Sequence, residues 1–169
     1  MDDLQIKHAL ERPFPVNKIH WRVGNTNAKK LNVPAYKATE GSLLAYLDAR
    51  DVMQRLDEVV GFNNWQCRYP FAGCCEIGIK FGNEWIWKAN AGAETQVEAE
   101  KGQASDAFKR AAVLWGIGRY LYKFPFTWVT LADVKTSGQI DPKKIPPNAI
   151  PNWAYPENYD EIIKQREAA

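Results

Sequence analysis

The side chains best suited to act on another molecule lie in one stretch, Ala104-Ser-Asp-Ala-Phe-Lys-Arg-Ala-Ala-Val-Leu-Trp-Gly-Ile-Gly-Arg-Tyr-Leu-Tyr122. Between Ala107 and Ala132 the only charged side chains are Lys109, Arg110, Arg119 and Lys123, all basic. Cations set among small and aromatic residues suit an anionic partner that also offers flat groups, which is the chemistry of single-stranded nucleic acid: phosphates for the cations and base faces for the rings. The bland alternative is a helix whose basic side faces water, and on residue pattern alone the two readings stand about even.

Other chemistries lack their residues. No GxxxxGK(S/T) phosphate loop occurs, and Gly116-Ile-Gly118 falls inside a helical pattern instead of following a strand, which argues against an ATP-driven recombinase or a dinucleotide enzyme. GxSxG and HExxH are both absent. The (D/E)xK spacing of metal-dependent nucleases occurs at Asp133-Val-Lys135 and Asp141-Pro-Lys143, off the predicted sheet, so a nuclease is the runner-up reading. Cys67, Cys74 and Cys75 form no paired CxxC units and read as reduced structural thiols. No metal and no cofactor is expected.

The elements that must position the basic stretch follow from local signals. Residues 4–11 suit a short helix ended before Pro13, and Ile19–Val23 and Leu43–Leu47 suit strands, with Gly24–Lys30 as a polar loop. Asp48 is placed to N-cap a helix whose apolar positions are Val52, Leu56, Val59 and Val60, and Gly61 closes it. Trp65–Tyr69, Cys74–Phe81 and Glu84–Ala89 read as a three-stranded antiparallel meander, the last two joined at Gly82-Asn83. Cys75, Ile77, Ile79 and Phe81 share its buried face. Thr95-Gln-Val-Glu98 has capping-box spacing and predicts a long helix to about Tyr122, before Pro125. On a continuous helix, Lys109, Arg119 and Lys123 fall within a sector of roughly 80°. Ala107, Ala111, Leu114, Gly118 and Leu121 lie on the side turned to the sheet. Trp85, Trp87, Trp115 and Tyr120 read as core or interface. The fold class is thus α+β, a meander packed on a long helix.

The chain of 169 residues suits one domain with a tail. Residues 1–132 read as the core and 133–169 as a proline-rich strap with a short terminal helix, too apolar to hang free and expected to dock on the core or a neighbour. The net charge of +2 is too small to argue for nucleic acid by itself, so the case rests on how the charge is distributed. With no signal-peptide pattern and no stretch long enough to span a membrane, a cytoplasmic protein without membrane attachment is expected.

Two stretches carry a resemblance to a known family. Tyr46-Leu-Asp-Ala-Arg-Asp-Val-Met-Gln-Arg-Leu-Asp-Glu-Val-Val-Gly-Phe-Asn-Asn-Trp65 resembles the helix-plus-GxNxW segment of the Rad fifty-two superfamily of single-strand annealing proteins. Ser105–Leu121 resembles that family's DxxKRAxxxxGxGxxL helix, and the two occur in the right order. The likeness covers about residues 10 to 127 and is nearest the bacterial DNA-damage-response protein A and phage annealing protein branch. It implies a β-β-β-α core and assembly into a homo-oligomeric ring. It further implies a basic groove in which single-stranded DNA is held and annealed without ATP, in recombination and repair, with protection of DNA ends as a related task. It also implies groove positions for Lys109, Arg110 and Tyr46. Where the family often has a further arginine, this chain has Val113, so the helical geometry leaves Arg119 and Lys123 as substitutes. Lys37 and Lys88 complete the expected set of DNA-binding cations. A module that serves only oligomer contacts is the competing class.

Overall fold

The computed structural model describes residues 1–91, 100–135 and 138–168. The capping box expected at Thr95–Glu98 lies outside the described residues. Helix α1 spans Asp3–Glu11, where Asp2 accepts from the Gln5 amide and Gln5 returns a bond to Asp2, and Pro13 follows its end. Strand β1 covers His20–Thr26, a helical turn α2 covers Ala28–Leu31, and strand β2 covers Glu40–Tyr46. Helix α3 then runs Ala49–Val60, capped by the Asp48 carboxylate on the Arg50 amide and closed at Gly61, whose φ of 90° only glycine adopts freely.

Strands β3 (Trp65–Arg68), β4 (Cys74–Phe81) and β5 (Glu84–Ala91) form the expected meander. The turn between β4 and β5 has Gly82 at φ 59°, and the pair registers Phe81 opposite Glu84. Alternation along β4 puts Cys75, Ile77 and Ile79 fully out of water on one face. On the other face the Trp87 indole lies so close over Gly78 that a Cβ there would come within 2.9 Å of it, and the Arg68 guanidinium lies 4.0 Å from the centroid of that ring.

Helix α4, Glu100–Leu114, lies on β4 and β5 and buries Ala107, Phe108, Ala111 and Ala112. Small residues let it approach the sheet closely, and the Trp115 indole N–H donates to the Ile77 carbonyl at 3.1 Å. The helix stops eight residues short of the expected end at Tyr122. The Ile117 amide bonds back to Ala112 and the Gly116 amide to Val113, with Gly116 at φ 95°, which is a Schellman stop. Gly118, at φ 72°, turns the chain again into a 3-10 helix over Arg119–Lys123. The buried side of α4 carries Ala107 and Ala111, as expected, together with Phe108 and Ala112, while Leu114 is only half-buried and Gly118 belongs to the turn.

A second sheet was not foreseen as a sheet. Strand β6, Trp128–Thr130, pairs with β2, giving the order β1-β2-β6, all antiparallel. Two apolar clusters result, one between the meander and helices α1, α3 and α4, the other behind the second sheet. Leu121, Phe124 and Ile150 touch both clusters. Phe124 meets Trp21 of β1, Tyr120 and Trp153, with ring centroids 6.0, 5.7 and 6.2 Å away.

The proline-rich segment folds as 3-10 turns at Pro142–Lys144, Pro147–Ala149 and Asn152–Ala154 before helix α5, Pro156–Glu167. It docks on the core, as its apolar content requires: Ile140, Ala149 and Ala154 are buried, and Arg12 holds Asp160 through two bonds of 2.8 and 2.7 Å. Buried Arg55 of α3 donates to the Ala9 and Arg12 carbonyls at the end of α1 and lies over the Phe14 ring. No helix among the described residues is long and apolar enough to cross a membrane.

Candidate nucleic-acid interface

Tyr46 is the last residue of β2, and its position is set from both sides. Cross-strand pairing places it opposite His20, whose ring lies 5.4 Å from its own, and Asp48 two residues on begins α3. Helix α4 brings Lys109 to the same place, with its Nζ 5.4 Å from the Tyr46 ring centroid. Residues 63 positions apart in the chain thus form one cationic, aromatic spot. Arg110, next on α4, is exposed and holds Asp106 one turn back at 2.7 Å, while its backbone carbonyl accepts from the Asn90 side chain of β5. Lys109 and Arg110 therefore point to different sides of the helix, as neighbours on a helix must.

Arg119 and Lys88 are placed otherwise. Because α4 ends at Leu114, its last carbonyls need partners, and these two cations supply them. Arg119 donates to Val113 and Leu114 at 3.0 Å each, Lys88 donates to Leu114 at 3.1 Å, and Arg119 also faces Glu11 at 3.7 Å. The Lys88 ammonium sits 4.0 Å over the Trp115 ring. Burial, and then the nearby charge of Arg119, hold its pKa below the ordinary lysine value. The sector expected to unite Lys109, Arg119 and Lys123 does not exist as a helical face, because the helix breaks at Gly116 between them. Lys123 is exposed on the 3-10 segment, beside exposed Tyr122. Val113 is half-buried, one turn beyond Lys109 on α4.

Lys37 lies at the far end of the β1–β2 hairpin. Register pairs Tyr46 with His20 at one end and Thr26 with Gly41 at the other, so at about 3.3 Å per residue roughly 17 Å of strand separates Tyr46 from the loop carrying Lys37. The structure brings Tyr46 and Lys109 together, and Arg119 with Lys88, and leaves Lys37 with neither pair. His20 and Glu11 were not singled out from the sequence, because only the strand register and the break in α4 bring them to these places.

The acids of the (D/E)xK spacings are engaged elsewhere. Asp141 caps the turn that follows it by accepting from the Lys143 amide, and Asp133 pairs with Lys144 at 3.4 Å. Among the described residues no group of three His, Cys, Asp or Glu side chains is arranged to hold a metal ion. The three cysteines are free thiols, and burial chiefly pushes Cys75 up to about 11, far from the reactive thiolate range.

An antiparallel meander covered by a KR-bearing helix, reached through a strand-and-helix segment ending in Gly61-Phe-Asn-Asn-Trp65, defines the class. The chain belongs to the Rad52/22 family of double-strand break repair proteins, whose model matches residues 3–77 and 72–140. Among curated proteins it is similar to the single-stranded DNA-binding protein DdrA of Deinococcus radiodurans, 33% identical over 161 residues that cover 90% of this chain and 69% of that protein. The protein of the same name from Deinococcus deserti is 31% identical over 161 residues, covering 90% of this chain and 71% of that protein. No solved structure matches at a significant level.

Proposed function

We propose that this chain binds single-stranded DNA and anneals complementary strands in recombination and repair, without ATP and as a homo-oligomeric ring built on a core of residues 1–132 with 133–169 strapped to it. The observation that carries the reading is the meeting of Lys109 with Tyr46, which joins the two family motifs into one cationic, aromatic spot beside exposed Arg110. Membership of the repair family and likeness to proteins named for single-stranded DNA binding support it.

The chemistry needs no catalytic side chain. Lys109 and Arg110 neutralise phosphates, which releases counterions and weakens repulsion between two strands. Tyr46 offers its ring to a sugar or base edge, while Lys109 at its face fixes where the phosphate sits. Lys123 extends the basic path from the 3-10 segment, and Lys88 and Arg119 contribute their field from the end of α4. One such spot is weak, and repetition around a ring multiplies it through effective concentration.

The test is annealing of complementary labelled strands with no ATP present, together with a sizing column. The unsubstituted protein accelerates annealing and elutes as an oligomer, and Lys109→Ala/Arg110→Ala loses both the acceleration and the affinity for a long oligonucleotide. Unchanged affinity and salt slope in that variant would make the groove assignment wrong. Adding magnesium to the same mixture tests for cleavage.

A further inference from the structure

The loop between β1 and β2 has properties that the Tyr46–Lys109 spot does not use. From Asn27 to Thr39 it contains Lys29, Lys30 and Lys37, all exposed, and no acidic residue. Tyr36 in this loop is 82% exposed, the highest value for a large apolar side chain among the described residues, and Lys37 Nζ lies 6.0 Å from its ring centroid. The fold gains almost nothing from a ring left in water.

The loop is nevertheless closed and held. Asn27, only 6% exposed, accepts from the amides of Thr39 and Glu40 at 3.0 and 3.2 Å and donates to the Thr39 hydroxyl at 2.9 Å, bolting the two ends of the loop together. Its own amide donates to the Glu40 carbonyl at 3.0 Å. Inside this frame, α2 ends on Asn32 in the left-handed region at φ 53°, and the Val33 amide bonds back to Ala28 at 3.0 Å. Pro34 then starts a 3-10 turn in which Lys37 and Ala38 bond to Pro34 and Ala35. A buried asparagine that spends its amide group on closing a surface loop removes the ordering cost that a free loop would meet on binding. The loop presents one ring and three ammonium groups on a fixed support.

We propose that Asn27–Thr39 is a second contact for single-stranded DNA, in which the Tyr36 ring stacks on a base and Lys29, Lys30 and Lys37 meet the flanking phosphates. This rests on the single-strand reading above and adds to it a contact at the opposite end of the β1–β2 hairpin, about 17 Å of strand from Tyr46 by the rise per residue. Stacking on a ring is sequence-tolerant because every base has a face, so the loop adds affinity and fixes the path of the strand across the second sheet without choosing a sequence.

The experiment is anisotropy titration of a labelled oligothymidylate of about thirty nucleotides, longer than the roughly 4 to 16 nucleotides that one binding module covers. It compares the full chain with Tyr36→Ala, Tyr36→Phe, Lys29→Ala/Lys30→Ala/Lys37→Ala and Lys109→Ala/Arg110→Ala. Melting temperature is recorded for each as a check on folding. Tyr36→Ala weakens binding by about tenfold, the loss of one base stack, while Tyr36→Phe keeps the ring and stays within about twofold. The triple lysine variant lowers the salt slope by about 2, at roughly 0.7 per single-strand phosphate. Photocrosslinking with 5-iodouracil in the oligonucleotide marks Tyr36 itself. Unchanged affinity in Tyr36→Ala while Lys109→Ala/Arg110→Ala binds weakly would overturn the loop contact and leave the groove standing. Equal losses in the Phe and Ala variants would overturn stacking. Failure of the unsubstituted protein to bind the oligonucleotide would remove the single-strand reading and this contact with it.

Discussion

The middle of α4 and its carboxyl end carry cations of the same kind in opposite circumstances. At Lys109 the ammonium reaches the Tyr46 ring, and among the described residues it makes no ion pair, so its charge is open to a phosphate. At the carboxyl end Arg119 and Lys88 converge on the Leu114 carbonyl, and Arg119 adds Val113 and Glu11. Their charges offset the negative end of the helix dipole and complete its hydrogen bonds. A basic residue near a basic residue is therefore poor evidence of shared work. What its donors already hold decides how much of the charge is available: Arg110 shares its guanidinium with Asp106 but stays exposed to a phosphate, whereas Arg119 spends two of its donors on helix carbonyls.

The largest effect that sharpens this contrast is expected from Lys109→Ala/Arg110→Ala. Two lost charge-assisted contacts weaken oligonucleotide binding by on the order of a hundredfold and lower the salt slope by about 1.4, with the melting temperature little changed. Arg119→Ala behaves in reverse: urea unfolding shows a loss of about 1 kcal/mol while the salt slope holds. A slope that fell as far in Arg119→Ala as in the double variant would break the distinction between the middle of the helix and its carboxyl end.

A smaller gain is expected from Val113→Arg, which adds a cation one turn beyond Lys109 and tightens binding a few-fold, raising the slope by about 0.7. The smallest effect is at Asp48, which fixes the start of α3 just after Tyr46. Hydrogen bonds from the Arg50 side chain and then the Arg50 amide lower its pKa to about 2 from 3.8. A carboxylate with a depressed folded pKa contributes stability that is present above its unfolded value and lost as the pH falls from about 4 towards 2. Asp48→Asn therefore flattens the acid limb of the stability curve in that window, read by circular dichroism against pH, because it keeps the cap but removes the carboxylate's contribution, so the variant is modestly less stable at neutral pH and matches the unsubstituted protein at about pH 2.

Much of this was legible in the chain because the signals are local. The cap at Asp48, the 3.6-residue repeat through Val60, the glycine stop at Gly61 and the turn at Gly82-Asn83 each act within a few residues, and each forms as expected. The second sheet was not legible as a sheet, because β6 is three residues long and pairs with a strand more than eighty positions earlier. The end of α4 was misread for a subtler reason. A helix tolerates glycine at a cost of about 1 kcal/mol, so Gly116 and Gly118 read as interior positions of one continuous helix. Their positive φ values and the bond from Ile117 back to Ala112 exist only once Ile117 has a core to enter. At the candidate site, Lys109 and Tyr46 were named from family motifs, but that they touch depends on β2 and α4 packing around a common core. That Lys37 stands apart depends on hairpin register, which side-chain composition does not encode.

The early stop of α4 also governs how the molecule comes apart. Had the helix continued, Phe124 would ride on its far end. Turned by the two glycines, it sits between both apolar clusters, against Trp21, Tyr120 and Trp153 at once. Neither apolar cluster can open without baring one face of that ring, so the two halves and the docked strap are expected to melt in one cooperative transition, read as coincident loss of near- and far-ultraviolet circular dichroism.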